Sequence, residues 1–166
     1  QVASIGTAQI AALSSTQVQN LTTEQVQALN AAQVAALETT DLVKLGSDQI
    51  QSITTSGVAA LTTAQVSALA SDQVAALSST QLGALKTSQI AAFTTAQADK
   101  LSSEALAGLS SAQIAGVETA DLVKITTDAL AGLSASAMTG FGTQQIAALT
   151  TTQLQALSSD QVSALS

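Results

Sequence analysis

The residues of this sequence that could take part in chemistry are carboxylates, lysines and hydroxyls. The 166 residues include eleven Asp and Glu, four Lys and many Ser and Thr, but no His, Cys or Arg. Serine and cysteine nucleophiles need a neighbouring base, which is usually histidine, and zinc sites are built mainly from Cys and His. The composition therefore excludes the usual catalytic triads and zinc centres. We expect no enzymatic activity and no catalytic, cofactor-binding or metal-binding residue.

Two pairs of carboxylates are close enough in sequence to be considered as candidate calcium ligands. Asp41 with Asp48, and Asp121 with Asp128, are seven residues apart. A calcium loop carries Asp, Asn and Gly at alternate positions over about twelve residues, and neither pair has that density. We interpret these side chains as solvated groups or as groups that complement a helix dipole.

The charge of the chain limits its partners. The formal net charge is −7, and the four lysines are scattered. Such a chain cannot neutralise a run of phosphates, which excludes nucleic-acid binding, and Ser, Thr and Gln interrupt every apolar stretch long before a membrane span is reached. Asp41 with Lys44, and Asp121 with Lys124, are three residues apart and are expected to form weak ion pairs on a short helix.

The hydroxyls fall at fixed places because the whole chain is an array of an eight-residue unit. A large apolar residue, position one of the unit, recurs every eight residues from Ile5 to Leu165, so twenty octads cover residues 5–164 without interruption. Position three is Ser or Thr in 18 octads, position five is Gln in 14, and position six is Val, Ile or Leu except at Ala98 and Met138. The consensus is Leu-Thr-Thr-Ala-Gln-Val-Ala-Ala.

The sequence also has a longer period, of 80 residues, in addition to the eight-residue period. Residues 38–45 recur with few changes as residues 118–125, which divides the array into two blocks at about 6–85 and 86–165. Gene duplication explains this period, and a geometric period of ten octads is the alternative. Residues 1–166 are thus predicted to be a single repeat array.

The octad predicts a helix that restarts every eight residues. One continuous helix would rotate position one by about 80° per octad, so no apolar face would persist. With a hydroxyl at position two as N-cap, Gln at position five completes a capping box, and positions one and six form a hydrophobic staple. Position three, more uniformly Ser or Thr, is the alternative cap, or its hydroxyl satisfies carbonyls at the end of the preceding helix.

Octads of this kind must stack to be stable, because the entropy lost by fixing eight residues exceeds what two buried side chains contribute. We therefore predict an all-α solenoid, or superhelix, of very short capped helices, one per octad. Positions one and six would face inward, positions four and seven would face water, and small residues at position eight would let successive turns approach. A β-solenoid is the alternative, since Thr and Val are good strand formers and eight is even.

Units such as residues 61–69, Leu-Thr-Thr-Ala-Gln-Val-Ser-Ala-Leu, resemble octapeptide arrays in very large bacterial surface or secreted proteins, often labelled adhesin-like or "heme utilization or adhesion". The resemblance is one of repeat style. It implies an extracellular or cell-surface location and a role as stalk, spacer or adhesive filament, with self-association or contact with a cell surface or glycan. The alternative function is a ligand-binding module in which the Thr and Ser hydroxyls form a ladder that contacts a glycan or ice. No cofactor is implied.

Overall fold

A computed structural model describes residues 2–165, and within this range the regular secondary structure is entirely helical, with no β-strand. A 3₁₀ helix, Val2–Ser4, precedes twenty α-helices of four to six residues, one in each octad. The predicted all-α solenoid is therefore confirmed, and the β-solenoid alternative is excluded for these residues. The helices are α1 Thr7–Ala11, α2 Ser15–Gln19, α3 Thr23–Gln27, α4 Ala31–Ala36, α5 Thr39–Leu42, α6 Ser47–Ser52, α7 Thr55–Ala60, α8 Thr63–Ala68, α9 Ser71–Ala75, α10 Ser79–Ala84, α11 Thr87–Ile90, α12 Thr95–Ala98, α13 Ser103–Leu106, α14 Ser111–Ile114, α15 Thr119–Leu122, α16 Thr127–Ala131, α17 Ala135–Met138, α18 Thr143–Ala148, α19 Thr151–Ala156 and α20 Ser159–Ala164.

Every helix begins at position three, so position two is the N-cap. Thr22, for example, has extended backbone angles of φ −74° and ψ 161°, and its hydroxyl accepts a hydrogen bond from the backbone N–H of Gln25. Ser, Thr or Asn caps thirteen of the twenty helices in this way. The alternative register, with position three as the cap, is wrong because the position-three residue already lies inside the helix.

The helices stack in a solenoid whose turn holds between three and four octads. Helix α1 packs on α4, α4 on α7 and α7 on α10, and the same step of three relates α2 to α5 and α3 to α6. Side-chain contacts described below reach 28 to 31 residues back, so a turn lies between three and four octads. Ten octads in three turns fall within this range, so the 80-residue period is compatible with the geometric explanation as well as with duplication.

The core is a continuous column of position-one and position-six side chains. Position six is fully buried at Val66, Leu82 and Leu130, and the apolar cluster runs from Ile10 to Leu149. Position four is exposed in every octad, and position seven is never buried. The predicted inside and outside faces are confirmed, including four unusual core residues whose side chains are buried with the rest: Phe93, Ala98, Met138 and Phe141.

Candidate functional site

The most regular polar feature of the solenoid is the glutamine at position five. In all fourteen octads that carry it, its Oε1 accepts a hydrogen bond of 2.6–3.0 Å from the backbone N–H of the position-two residue. This is the half of the capping box that reaches back to the N-cap. Together with the position-two hydroxyl, it satisfies two backbone donors that a helix start leaves free. The predicted capping box is confirmed.

The same side chain also joins successive turns. Nε2 of Gln81 donates to the carbonyl oxygens of Ile50 and Ile53, both at 2.8 Å, which lie 31 and 28 residues earlier at the end of α6. Eleven glutamines bond to the position-one carbonyl in this way, at 2.6–2.8 Å in each. Ten of them also bond to the position-six carbonyl, and the second acceptor of Gln49 is instead the carbonyl of Gln19. We call this arrangement the amide clamp. Its members are Gln33, Gln49, Gln65, Gln73, Gln81, Gln89, Gln97, Gln113, Gln145, Gln153 and Gln161.

The amide clamp solves the problem of helix ends that have no glycine cap. The last carbonyls of a helix lack intrahelical partners, and a buried carbonyl without a donor is destabilising. The oxygen of one glutamine amide accepts a hydrogen bond at the start of its own helix. The nitrogen of the same amide donates to carbonyls at the end of a helix four octads earlier. Within residues 2–165 no buried side-chain nitrogen or oxygen lacks a hydrogen-bond partner.

The sequence contains a signal for the clamp that capping alone does not explain. Glutamate completes a capping box as well as glutamine does, because only the side-chain oxygen is needed. Yet position five is Gln fourteen times and never Glu. The bias indicates a requirement for the amide NH₂ group, and the requirement is explained by the carbonyls of the turn below. The alternative role given to the position-three hydroxyl, satisfying those carbonyls, is thus filled by Gln.

Six octads lack the clamp residue. Their position-five residues are Asp41, Gly57, Ala105, Asp121, Ala129 and Ala137. Asp41 is buried and accepts a 2.5 Å hydrogen bond from the Ser15 hydroxyl, 26 residues earlier. Asp121 is buried at the equivalent place in the second block, beside a small void lined by Phe93 and Ala98. Burial raises the pKa of Asp121, and the neighbouring Glu118 carboxylate raises it further.

The predicted pairs Asp41–Lys44 and Asp121–Lys124 do not form. Both carboxylates turn inward at position five while the lysines at position eight stay exposed, so the three-residue spacing does not bring them together. The ion pair that residues 2–165 contain joins Lys100 to Asp99 at 3.0 Å. No group of three or more carboxylates in this range could hold a metal ion.

An exposed carboxylate at position four behaves as the helix dipole predicts. Glu24 lies in the first turn of α3. Its own backbone N–H, followed by the Thr22 hydroxyl, lowers the pKa of the Glu24 carboxyl. A carboxylate near a helix start accepts from free N–H groups, so the ionised form is favoured there.

The position-three hydroxyls stay on the surface. Thr63, Thr95 and Thr143 are exposed, whereas some others, such as Ser71, are half-buried. The Ser71 hydroxyl donates to the carbonyl of Ala96, in the turn above, over a long distance of 3.4 Å. The position-three side chains are therefore free of the capping role and line the outside of the solenoid.

Open grooves run between successive turns. One has a volume of about 620 Å³ and is bordered by Glu118, Thr119 and Gln144. Another, of about 360 Å³, lies at the end of α9, where it is bordered by Leu77, Ser78 and Ala105. The second groove lies where the side chain of a clamp glutamine would lie if residue 105 were glutamine instead of alanine.

The repeated cap, the amide clamp and the shared core define the class of protein as an α-helical tandem-repeat solenoid. The family model of the ALTTAQ repeat matches the chain five times and covers most of it, and the chain belongs to this family. The matches span residues 2–39, 34–71, 66–103, 114–151 and 138–166. No curated protein matches the chain. Each match begins at position six of an octad, so the family model follows the register of the structure.

Residues 104–113 lie between the third and fourth matches. This segment includes Ala105, the position at which the clamp glutamine is replaced by alanine, and Gly108. No helix of residues 2–165 is long and apolar enough to cross a membrane.

Proposed function

We propose that the chain is a structural repeat segment, acting as stalk, spacer or adhesive filament, of a larger extracellular bacterial protein, and that it is not an enzyme. The observation that carries the proposal is the uninterrupted column of turns, each joined to its neighbours by the same core contacts. Such an array gains length by adding turns, and its stability is close to a sum of neighbour contacts. The extracellular setting rests on the resemblance in repeat style.

A spacer should lengthen in proportion to its octads. The test compares the chain with a variant in which a second copy of residues 6–85 follows residue 85, using small-angle X-ray scattering at a concentration where both are monomeric. We expect the maximum dimension to increase by roughly half while the cross-section stays constant. A compact particle, in which the cross-section grows instead, would contradict the spacer role.

The extracellular location is tested by labelling cells that express the whole parent protein. Antibodies raised against the 166-residue chain should bind intact cells as strongly as permeabilised cells. Labelling that requires permeabilisation would place the repeat inside the cell and would remove the stalk and adhesin interpretations together.

A second candidate function is binding of a glycan or ice by the surface hydroxyls, and it is favoured by the exposure of the position-three side chains. Because position two supplies the caps, hydroxyls such as those of Thr63, Thr95 and Thr143 remain available to a ligand. The chain and its Thr63→Val/Thr95→Val/Thr143→Val variant are compared in glycan-array and thermal-hysteresis measurements. Activity that the variant loses supports this function, and inactivity of the unmodified chain in both measurements contradicts it.

A further inference from the structure

Asparagine occurs twice in the chain, and one of the two completes a motif that accepts a sugar. Asn20, Leu21 and Thr22 have the form Asn-x-Ser/Thr with a residue other than proline in the middle. This is the acceptor sequence for asparagine-linked glycosylation. Asn30 is followed two residues later by Ala32, so it lacks the hydroxyl. The chain therefore contains one complete acceptor motif and a second asparagine that does not meet the requirement.

The octad places this motif where the chain leaves one helix and enters the next. Asn20 stands at position eight, where most octads have Ala or Gly, and Thr22 stands at position two. Position two is Ser or Thr in twelve octads, and there the hydroxyl caps the following helix. An asparagine at position eight is therefore followed by the required hydroxyl wherever the cap is Ser or Thr. Asn20 is the one position-eight residue of the sequence that meets this condition.

The amide of Asn20 is exposed at the end of α2 and is held by that helix. Its Nδ2 donates a hydrogen bond of 2.7 Å to the carbonyl oxygen of Thr16, one of the carbonyls that a helix end leaves without a partner. An amide nitrogen carries two hydrogens. One hydrogen can keep the bond to Thr16 while a sugar replaces the other, so glycosylation is compatible with the end of the helix.

The rest of the motif is fixed in position and also open to an enzyme. The hydroxyl oxygen of Thr22 accepts from the backbone N–H of Gln25 at 3.2 Å, which leaves the hydroxyl hydrogen able to donate, and the side chain is exposed. The carbonyl of Leu21 accepts from Nε2 of Gln49 at 2.6 Å, so the turn above holds the backbone of the motif. The two groups that define the motif, the Asn20 amide and the Thr22 hydroxyl, therefore both lie on the surface of the folded array.

Exposure at position eight is a general property of the octad. Lys100 is the equivalent of Asn20 in the second block, 80 residues later. Its helix, α12, is packed between α9 and α15, and the Lys100 side chain is nevertheless 51% exposed. Lys44 and Lys124, also at position eight, are exposed as well. A sugar on a position-eight side chain would thus project from the wall of the solenoid even where turns pack on both sides.

We propose that Asn20 is a site of asparagine-linked glycosylation, and that the second substrate is a sugar activated by a diphosphate group. Nδ2 of Asn20 attacks the anomeric carbon of the sugar, the bond from that carbon to the diphosphate oxygen breaks, and the diphosphate leaves with the electron pair. The transferase takes up the amide proton, so no oxidant or reductant is needed. A lipid diphosphate and a nucleoside diphosphate supply the same activated carbon. The inference goes beyond the spacer role and is independent of it, since a chain that failed the scattering test could still carry the sugar.

The first test uses the parent protein purified from its own cells. Cleavage after glutamate separates the two asparagines, because Glu24 lies between them and Glu38 follows Asn30. By mass spectrometry with fragmentation, we expect a sugar on Asn20 in the peptide that ends at Glu24 and none on residues 25–38. One discrete product of several sugars indicates transfer from a lipid diphosphate, and a series that begins with a single sugar indicates a nucleoside diphosphate. An unmodified Asn20, or a sugar found on the hydroxyls alone, overturns the proposal.

Variants test whether the motif is what the transferase recognises. The 166-residue chain is directed through a eukaryotic secretory pathway, whose transferase uses a lipid-diphosphate oligosaccharide, by a cleavable signal. We expect one glycan on the unmodified chain and complete loss in Asn20→Gln, which keeps an amide, and in Thr22→Val. Thr22→Ser should restore the glycan, and far-ultraviolet circular dichroism checks that each variant is folded. A secreted, unmodified chain without a glycan overturns the proposal, and so does a glycan on Asn20 that persists in Thr22→Val.

The second block provides a gain-of-function variant with a matched control. Lys100→Asn creates the sequence Asn-Leu-Ser at the equivalent place, because Leu101 and Ser102 follow. In the same secretory pathway this variant should carry two glycans, whereas Lys100→Asn/Ser102→Ala, which lacks the hydroxyl, should carry one. A Lys100→Asn chain that carries a single glycan would overturn the assignment of position eight as the place that the transferase can reach.

Discussion

Residues 61–100 and residues 101–140 each contain five octads, but their turns are joined differently. In the first segment all five octads carry the clamp glutamine, from Gln65 to Gln97. In the second, Gln113 alone does so, and the other position-five residues are Ala or Asp. Both segments have the same core column, so the amide clamp is one way, rather than the required way, to connect one turn to another.

The second segment replaces the clamp with close backbone contact. Position eight is alanine in four of the five octads of residues 61–100, whereas in residues 101–140 it is glycine at Gly108, Gly116, Gly132 and Gly140. A Cβ on Gly108, Gly132 or Gly140 would overlap the backbone of the position-three residue in the turn below. Three of these four glycines share an octad with alanine at position five. Alanine at position five together with glycine at position eight lets successive turns approach more closely. Glutamine at position five together with alanine at position eight keeps the turns further apart and joins them through side chains.

The largest expected effect comes from blocking the close contact. In Gly132→Ala, the new Cβ would lie 2.6 Å from the carbonyl carbon of Ser103, and a backbone atom cannot rotate away. We expect the free energy of unfolding to fall by about 3 kcal/mol or more, measured by denaturant unfolding. Gly142→Ala is the control, since its Cβ meets nothing nearer than Gln145 Oε1 at 3.8 Å. It should cost less than about 1 kcal/mol. Equal losses would contradict the close-contact explanation.

Removing a clamp from the other segment should have the next largest effect. Gln81→Ala deletes the bonds to Ile50 and Ile53 and leaves the Ile53 carbonyl without a donor, whereas the Ile50 carbonyl keeps the backbone N–H of Ile53. We expect a loss of about 2–3 kcal/mol in unfolding free energy. Gln17→Ala loses a capping box but no inter-turn bond, and it should cost about 1 kcal/mol or less. If the two variants melt at the same temperature, the inter-turn bonds contribute nothing beyond capping.

Introducing a clamp glutamine where residues 101–140 lack one should raise the stability by a smaller amount. In Ala105→Gln, the new side chain would enter the groove beside Leu77 and Ser78, accept from the Ser102 N–H, and donate to the carbonyls of Val74 and Leu77. We expect about 1 kcal/mol of added stability by thermal unfolding. Ala107→Gln adds the same side chain at an exposed position and should change stability little. An Ala105→Gln variant that is no more stable than this control would show that residues 101–140 do not accept the clamp.

The smallest expected effect depends on pH. The pKa of Asp121 is raised in the folded state by burial and by Glu118, so the ionised carboxylate destabilises the fold. The penalty is absent below the unfolded pKa, grows as the pH rises through the folded pKa, and is complete above it. Asp121→Asn should therefore raise the melting temperature at pH 7 and leave it unchanged at pH 3. Asp128→Asn, which removes an exposed charge seven residues further along the chain, should give no gain at pH 7. A gain that is equal at both pH values would exclude ionisation as the cause.

The sequence predicted the helices, the caps and the two faces, because these depend on interactions within one octad. Residues such as Thr22 and Gln25 lie three apart and form the capping box without help from the rest of the chain. The fold class could be predicted for the same reason, since short capped helices with two apolar positions must stack.

The inter-turn contacts could not be predicted, since they depend on how many octads make a turn. Gln81 meets Ile53 only because the superhelix returns after between three and four octads, and no local spacing reveals that number. The expected Asp41–Lys44 pair failed for a related reason: position five points toward the adjacent turn, where Ser15 is the partner. The absence of Glu at position five is the signal in the sequence that points to a donor role.

The amide clamp also sets the order in which the turns become stable during synthesis. Each glutamine follows the carbonyls it covers by 28 to 31 residues, as Gln65 follows Leu37 and Val34. Ribosomes add about 5–20 residues per second, so an emerging turn waits roughly 1.5–6 s for the amide that closes it. During that interval water must solvate the newly made helix ends. Each turn is thus stabilised by glutamines that are synthesised after it. On a stalled ribosome, the most recent turn would lack the hydrogen bonds of the amide clamp.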